Sequence, residues 1–392
     1  MIDHGALVEF TRELVMIPSV YDPATGRNEE AAARLVTRQL VDFGFAPVTD
    51  IVAPGRPNVI CTIDGGRPGP TLCFEGHLDV VTEGDAAAWT FDPFAGVIDA
   101  GKLHGRGSAD MKSGLAAAMF AARNVADRGP FPGRIVIAAL VDEEGMMSGA
   151  KHFVASGMAS GIDAAICCEP EGGEVCHVAK GALRLQVGFR GSMAHGAMPF
   201  MGRNPNRAIG TFLTAIADFE AELQLTYPTD PYLGEVWVTP TVLRAGEPVQ
   251  MNVMPADASV WLDVRTIPGV NHLHLVDRIH TLASAAGDAL GITATMEIID
   301  DRPAVHTEET SLLVESLRRS HEAVLGEPSR LGGVPGATDG TVLTSRGGIP
   351  TVVYGPGGKW IAHQVDEFVE VHEIVDAAEV YTEAALRFLA GP

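Results

Sequence analysis

The other candidate residues of the chain are organised around the stretch Gly76-His77-Leu78-Asp79-Val80-Val81. It follows the apolar run Thr71-Leu72-Cys73-Phe74, which predicts a buried strand of a parallel sheet. Ligands gather at the carboxyl ends of such strands. Because His77 and Asp79 are two residues apart, their side chains point the same way in extended backbone. The pair suits a metal ligand with a supporting carboxylate. A histidine satisfied by a loop carboxylate is an equally open alternative.

Two more near-continuous apolar runs end in acidic residues. Residues 134–141 lead into Asp142-Glu143-Glu144-Gly145, and residues 162–168 lead into Glu169-Pro170. A solvated loop is the alternative, but neighbouring carboxylates repel one another and a cation relieves that repulsion. All of these acids fall at the expected edge of the sheet. We therefore favour a divalent cation with histidine and carboxylate ligands, such as zinc, cobalt or manganese.

Asp110 and His363 are weaker candidates when each is taken alone. Asp110 ends a glycine-rich loop just before a predicted helix over residues 113–127, where a carboxylate is usually a helix cap. His363 follows the predicted strand over residues 350–354, and a loop histidine there is more often a surface residue than a ligand. Both can nevertheless reach the edge of the sheet that His77 occupies.

Length and composition bound the kind of protein. The chain has 392 residues, enough for two domains, and 46% of them are hydrophobic. A formal net charge of -22 argues against nucleic acid and anionic membrane surfaces as partners. The five cysteines form no C-x-x-C pair, which predicts buried free thiols in a reducing compartment. With no visible signal peptide and no apolar run of membrane-spanning length, we expect a cytoplasmic protein.

The pattern changes after residue 180. Residues 184–190 alternate polar and apolar side chains, as in a sheet with one solvated face. The predicted order that follows, strand-helix-strand-strand-helix-strand, is typical of a ferredoxin-like domain. The sequence therefore predicts an α/β fold: a mainly parallel-sheet catalytic domain with an inserted α+β domain. The expected boundaries are 1–180 and 299–392 for the catalytic domain and 181–298 for the insertion.

Five motifs in this order resemble one known family. They are Gly76-His77-x-Asp79-Val80-Val81, Gly105-Arg106-Gly107-x-x-Asp110-Met111-Lys112, Asp142-Glu143-Glu144-Gly145, Glu169-Pro170 and Ala362-His363-x-x-Asp366-Glu367. The chain resembles the dinuclear zinc amidohydrolases and peptidases that include acetylornithine deacetylase, succinyl-diaminopimelate desuccinylase, aminoacylase and glutamate carboxypeptidase. The resemblance covers nearly the whole chain. The joint set of motifs is specific to the family and only weakly specific to any one member.

The resemblance implies two divalent metal ions per subunit. One ion would be held by His77, Asp110 and Glu169. The other would be held by Asp110, Glu144 and His363, so that Asp110 bridges the two. Zinc is the favoured ion, and cobalt and manganese remain open.

The resemblance also implies roles next to the metal ions. Asp79 would orient His77, and Glu143 would be the general base. Two close cations acidify a water molecule and polarise an amide carbonyl. A free carboxylate can then take the proton of the water and pass it to the leaving amine.

The inserted domain would complete the site. In the family this domain dimerises as a lid, and the residue matching His195 reaches the active site of the other subunit of a homodimer, where it can help stabilise the oxyanion. Asn252 and Arg265 match positions that bind the substrate carboxylate, and Gly336 matches a loop near the substrate. Arg265 shares a strand face with Asp263, so a structural ion pair is the alternative for this arginine.

We therefore predict a metal-dependent amidohydrolase that cleaves the amide bond of a small N-acyl amino acid. Arg265 indicates one substrate carboxylate, and the absence of a visible second basic cluster favours a neutral acyl group over succinyl. Other candidates are a dipeptidase or carboxypeptidase, a hydrolase of another C–N bond, and a non-catalytic metal-dependent binding protein. The intact Glu143 argues against the last of these.

Overall fold

Strands and helices alternate along most of the chain in the computed structural model, which describes residues 1–391. The strands are β1 (Val48–Ala53), β2 (Arg56–Asp64), β3 (Gly66–His77), β4 (Val97–Asp99), β5 (Lys102–His104), β6 (Phe131–Leu140), β7 (Ala164–Cys167), β8 (Val175–Ala179), β9 (Gly181–Arg190), β10 (Ala194–His195), β11 (Trp237–Ala245), β12 (Val253–Met254), β13 (Asp257–Thr266), β14 (Thr293–Arg302), β15 (Val305–His306), β16 (Leu331–Val334), β17 (Thr351–Val353) and β18 (Phe368–Glu370). The α-helices are α1 (His4–Val15), α2 (Glu30–Asp42), α3 (Ser113–Asp127), α4 (Ser148–Ala155), α5 (Pro205–Thr226), α6 (His272–Asp288), α7 (Leu312–Leu325), α8 (Gly340–Gly347) and α9 (Val371–Ala390).

The largest sheet is mixed rather than mainly parallel, which corrects the prediction. Its strand order is β1-β2-β6-β3-β7-β17-β8-β15, with β16 paired to β8. The neighbours β6, β3, β7 and β17 run parallel and form the centre of the sheet. The pairs β1–β2, β2–β6 and β17–β8 are antiparallel. One physical reason is the tight turn at Gly55 (φ 74°), because so short a connection can join only antiparallel strands.

The first compact unit contains nearly all of this sheet. It is built from Met1–Val178, His306–Val334 and the chain from Thr338 onward. Helix α3 is alanine-rich and buried along almost its whole length, which lets it pack closely within the unit. The ring of Phe74 on β3 lies 5.2 Å from that of Tyr381 on α9. The centre of the sheet is therefore enclosed, and polar side chains concentrate where its strands end.

The second unit comprises Ala179–Val305 together with Pro335–Ala337. Its antiparallel sheet has the strand order β11-β13-β9-β14. Along the chain the elements run β9-α5-β11-β13-α6-β14, which is the β-α-β-β-α-β order of ferredoxin-like domains. Strand β14 extends to Arg302, so the expected boundary after residue 298 falls inside a strand.

Two further expectations concern the chain as a whole. All five cysteines are buried and free, as predicted. None of the helices in residues 1–391 combines the length and the apolar character needed to cross a membrane.

Candidate metal centre

The predicted ligands gather where the central parallel strands end. His77 is the last residue of β3 and pairs in register with Leu140, the last residue of β6. Glu143 and Glu144 follow β6 by a few residues, and Glu169 follows β7. Parallel strands bring their carboxyl ends to one edge, so residues distant in sequence share one site.

A first cluster joins His77, Asp110 and Glu169. The Nε2 atom of His77 lies 3.0 Å from Oδ1 of Asp110 and 3.7 Å from Oε1 of Glu169. One ligand atom from each residue lies within 4.8 Å of the others. The other ring nitrogen of His77, Nδ1, is 2.9 Å from the main-chain carbonyl oxygen of Asp79. In the neutral ring, an Nδ1–H that donates to that carbonyl leaves Nε2 with its lone pair facing the two carboxylates.

A second cluster joins Asp110, Glu144 and His363. The Nε2 atom of His363 lies 2.9 Å from Oε1 of Glu144 and 3.3 Å from Oδ2 of Asp110. These ligand atoms also lie within 4.8 Å of one another. The two oxygens of Asp110 therefore face two different histidines, Oδ1 toward His77 and Oδ2 toward His363. A carboxylate so placed can be shared between two ions.

The donor atoms fit divalent cations. Histidine nitrogens and carboxylate oxygens bind zinc at about 2.0–2.2 Å, so donors on one tetrahedral ion lie roughly 3–4 Å apart. The separations in both clusters fall close to this range. The donors are nitrogen and oxygen only, a set that suits zinc, cobalt and manganese alike.

The electrostatics of the clusters also indicate a need for positive charge. Burial, together with the nearby Asp110 charge, raises the pKa of Glu169 to about 8. Hydrogen bonds to Asp110 and Glu144 raise the pKa of His363 to about 10. Burial alone would raise the pKa of Asp110, but hydrogen bonds from His363 and His77 outweigh it and lower the pKa. The positive charge of the two protonated histidines thus offsets the repulsion among the carboxylates, and bound metal cations could offset it in the same way.

Glu143 lies beside the clusters but belongs to neither. Its side chain is buried, and within the described residues its carboxylate accepts no hydrogen bond. Burial, and after it the charge of Glu169, raises the pKa of Glu143 well above its usual range. A buried carboxyl group with free oxygens next to candidate metal ligands is suited to proton transfer.

The Asp79 side chain is placed differently from the expectation. Its Oδ1 atom is 3.7 Å from Nδ1 of His77, which is too long for a hydrogen bond. The carboxylate instead accepts the backbone N–H groups of Glu143, at 3.2 Å, and Glu144, at 3.1 Å. The main-chain carbonyl of Asp79 therefore contacts the His77 ring, and its side chain holds the turn that carries the two glutamates.

The second unit brings two of the other candidate residues together. Strands β10 and β12 pair His195 with Val253, next to Asn252. The backbone N–H of Gly196 donates to the Asn252 carbonyl oxygen at 2.7 Å. Both the His195 and Asn252 side chains are exposed. The two residues therefore present adjacent polar groups at the surface of this unit.

Arg265 on β13 makes the ion pair that the sequence left open. Its Nε and Nη2 atoms donate to the two Asp263 oxygens at 2.7 and 3.1 Å. The side chain is 32% exposed, so the pair lies at the surface and not in the core. Gly336 is partly exposed, and a side-chain atom added there would meet nothing within 4 Å.

Two buried charged residues beside the clusters were quoted in the motifs but received no role. Glu367 and Arg106 are fully and almost fully buried, and they form an ion pair. The sequence offered one signal for them, since each stands in a motif that also carries a predicted ligand. Their ion pair joins residues 261 apart in the sequence, which no local pattern reveals.

Comparison with known proteins places this geometry in context. Residues 73–387 match the family described as peptidase family M20/M25/M40. The chain is 32% identical over 390 residues to a succinyl-diaminopimelate desuccinylase of Cereibacter sphaeroides, covering 95% of this chain and 96% of the relative. It is 30% identical over 397 residues to the same kind of protein from Rhodospirillum centenum, covering 98% and 97%.

Solved structures share the fold across the whole chain. A tripeptidase from Staphylococcus aureus has a TM-score of 0.80 at 19% identity, with 100% of both chains covered. A metallo-carboxypeptidase from Sulfolobus solfataricus gives 0.78 at 18% identity, also over 100% of both chains. A dinuclear metal-binding peptidase from Bacillus subtilis gives 0.75 at 18% identity, covering 99% of each chain.

Proposed function

Because this chain belongs to peptidase family M20/M25/M40, we propose that it hydrolyses the amide bond of a small N-acyl amino acid. Family membership and the desuccinylase relatives make it a metal-dependent hydrolase of amide bonds, and the family resemblance predicted from the five motifs is confirmed. The observation that supports a centre with two metal ions is the position of Asp110 between His77 and His363. A carboxylate shared in this way suits a site for two ions.

The proposal assigns His77, Asp110 and Glu169 to one ion and Asp110, Glu144 and His363 to the other. Zinc is favoured on the family resemblance, because the nitrogen and oxygen donors by themselves suit zinc, cobalt and manganese alike. Bound there, the ions would supply Lewis acidity toward the substrate carbonyl and lower the pKa of a water molecule.

Glu143 is proposed as the general base. Its free carboxylate would accept a proton from the attacking water and deliver that proton to the leaving amine nitrogen. Positive charge brought near the carboxylate favours its ionised form, which offsets the effect of burial on its pKa. Asp79 would act through the backbone of Glu143 and Glu144 by holding their turn in place.

The second unit is proposed as a dimerisation and lid domain. His195 would donate to the developing oxyanion in the site of the other subunit of a homodimer. Asn252 and Arg265 would bind the substrate carboxylate, and Gly336 would lie near the substrate. Support comes from the family resemblance and from the adjacency of His195 and Asn252 on the β10–β12 ribbon.

N-succinyl amino acids are the first compounds to test within this class. The relatives at 30–32% identity are named succinyl-diaminopimelate desuccinylases. N-acetyl amino acids carry the neutral acyl group that the sequence favours, so they are compared directly with the succinyl compounds.

The decisive experiment measures metal content and substrate hydrolysis together. The purified protein is loaded with zinc or cobalt, its metal content is measured by elemental analysis, and N-acetyl amino acids, N-succinyl amino acids and dipeptides are assayed in parallel. We expect about two ions per chain and turnover of N-acyl amino acids.

The other outcomes separate the alternatives. Turnover of dipeptides alone would make the protein a peptidase. Two ions without any turnover would favour another C–N bond or a binding role. A chain that takes up no ion under any loading condition would contradict the proposal.

A further inference from the structure

Glu367 is a buried carboxylate with an unusually complete set of donors. Its side chain is fully buried, and its Oε1 atom accepts three backbone N–H groups. They belong to Gly107 at 3.0 Å, Ala109 at 3.0 Å and Asp110 at 3.1 Å. A single oxygen atom thus holds the turn that ends at Asp110, the candidate ligand shared by both ions.

The other oxygen of Glu367 binds Arg106. The Nη1 atom of Arg106 donates to Oε2 of Glu367 at 2.5 Å. The Nη2 atom of the same guanidinium lies 3.3 Å from the carbonyl oxygen of His363. The Trp89 ring lies 5.1 Å from the guanidinium carbon, which helps to hold it in place. Arg106 therefore ties Glu367 to the backbone of a second candidate ligand.

The backbone of His363 needs such a restraint. His363 has φ 66°, in the left-handed region that residues other than glycine rarely adopt. Asp366, three residues later, has φ 60°, and its carboxylate accepts the backbone N–H and the hydroxyl of Thr90 at 2.7 and 2.9 Å. Polar contacts thus hold this loop at two positions. Arg106 contacts the carbonyl oxygen of His363, and Thr90 contacts the carboxylate of Asp366.

We propose that the Glu367–Arg106 pair is a positioning device for the ion held by Asp110, Glu144 and His363. The pair contacts the backbone of two of these three ligands. The other cluster depends on it only through Asp110, since His77 is oriented by the Asp79 carbonyl. The inference rests on the proposed dinuclear centre. It adds that the binding affinities of the two ions depend to different extents on the Glu367–Arg106 pair, which belongs to neither cluster.

The test compares the affinity of each ion in wild type and two variants, Glu367→Gln and Arg106→Lys. Glu367→Gln keeps the shape of the side chain but turns a donor toward the Arg106 guanidinium. Arg106→Lys keeps the charge but loses the fork that reaches both Glu367 and the His363 carbonyl. Zinc binding is followed by isothermal titration calorimetry, and the metal content is measured after dialysis against buffered free zinc.

We expect the ion held by Asp110, Glu144 and His363 to bind about 10- to 100-fold more weakly in both variants, because partners that orient metal ligands have effects of this size. The ion held by His77, Asp110 and Glu169 should lose clearly less affinity, because only Asp110 links it to the pair. The matched control is Asp300→Asn. Asp300 forms a buried ion pair with Arg302 in the second unit, at 2.5 Å. This control should lose stability without changing either affinity.

The possible results separate this inference from the proposed function. A wild-type protein with two ions whose affinities are unchanged in both variants would overturn the inference alone. Equal weakening of both ions, or failure of both variants to fold, would assign the pair to general stability and also overturn it. A wild-type protein that binds no zinc would overturn the inference and the proposed function together.

Discussion

At the scale of single residues, Glu143 and Glu144 are neighbours with different surroundings. Glu144 lies 2.9 Å from the His363 ring, whereas the Glu143 carboxylate accepts no hydrogen bond within the described residues. Both turn positions are held by the Asp79 carboxylate. Substitution of each glutamate in turn therefore tests the proposed metal binding and the proposed proton transfer separately.

Glu143→Gln is predicted to retain both ions and to lose about 10²- to 10⁴-fold in kcat, the usual contribution of general acid–base catalysis. The ligand set is untouched, while the amide cannot accept the proton of water. Steady-state kinetics of the zinc-loaded variant, with elemental analysis of the same sample, tests this expectation.

The neighbouring change Glu144→Gln is the control for that experiment. It should lower the metal content as well as turnover, because it removes a candidate ligand. Wild-type turnover in Glu143→Gln would exclude the proposed base.

His321 on α7 gives a prediction about pH and stability. Its ring is buried, and Nδ1 lies 2.9 Å from the Tyr354 hydroxyl. Burial lowers the pKa of His321 below 6.5, with Glu327 and Asp376 acting in the opposite direction. As the pH falls, the unfolded chain takes up this proton first. The stability from a neutral His321 is therefore present above about pH 6.5 and is lost as the pH falls through the lower folded pKa.

His321→Gln should accordingly show a shallower loss of unfolding free energy below pH 6.5 than wild type. Urea unfolding at several pH values from about 7.5 to 5 measures this slope. The exposed His280 offers the comparison His280→Gln, which should follow the wild-type slope. If the unfolding free energies of His321→Gln and wild type fall with pH at the same slope, this histidine does not contribute to the pH dependence of stability.

At the scale of elements, the packing of α3 depends on a glycine. A Cβ atom added to Gly114 would lie 1.9 Å from the main-chain oxygen of Cys168, which directly precedes Glu169. The contact involves backbone, so a side-chain rotation cannot relieve it. Helix α3 and the end of β7 therefore approach as closely as glycine allows.

Gly114→Ala is predicted to lower the free energy of unfolding by about 1–3 kcal/mol or more, the range for overpacked sites. Gly210 in α5 is the matched helical control, since an added Cβ there meets nothing within 4 Å. Gly210→Ala should instead raise the free energy of unfolding by about 0.5–1 kcal/mol. Urea unfolding of both variants distinguishes the two effects, and equal values would contradict this account of α3 packing.

The elements that carry the candidate ligands were largely predictable, while their ends and directions were not. Apolar runs reveal buried strands, so the strands that lead to His77, Glu144 and Glu169 were found. Strand β3 begins at Gly66 and not at residue 71, because its Gly/Pro-rich start pairs with Phe131 and Pro132 across an irregular register. The spacing of hydrophobic residues does not indicate strand direction, so the sequence did not predict the antiparallel strands at the edges of the sheet.

At the scale of the whole molecule, the proposed homodimer can be tested by mixing inactive variants. If His195 serves the site of the other subunit, a chain with Glu143→Gln and a chain with His195→Ala can complement each other. Random mixing of such dimers should restore about a quarter of wild-type activity, since half of the dimers then carry one complete site.

Co-expression or unfolding and refolding of the two chains together, followed by an activity assay, measures this recovery. The unmixed variants, treated in the same way, are the controls. Activity that stays at the sum of the two separate variants would place His195 outside the site of the other subunit.

The sequence predicted the ligands of the candidate centre but not the contacts that arrange them. Motifs with a fixed order were enough to select His77, Asp110 and His363. The ion pair of Arg106 with Glu367 joins distant parts of the chain, and only the fold brings them together. Spacing alone does not distinguish a side-chain contact from a main-chain contact, so the sequence did not reveal that Asp79 contacts His77 through its carbonyl oxygen.

The discontinuity of the first unit has a consequence for synthesis on the ribosome. His77, Asp110 and Glu169 all precede the inserted unit, whereas His363 and strand β17 follow it. The emerging chain therefore contains all three residues proposed for one ion long before it contains all three proposed for the other. A metal ion captured early would meet a sheet that still lacks β17, and the second ion would enter only after translation has passed His363. Under the proposed assignment, the order of translation would therefore set the order in which the two ions bind.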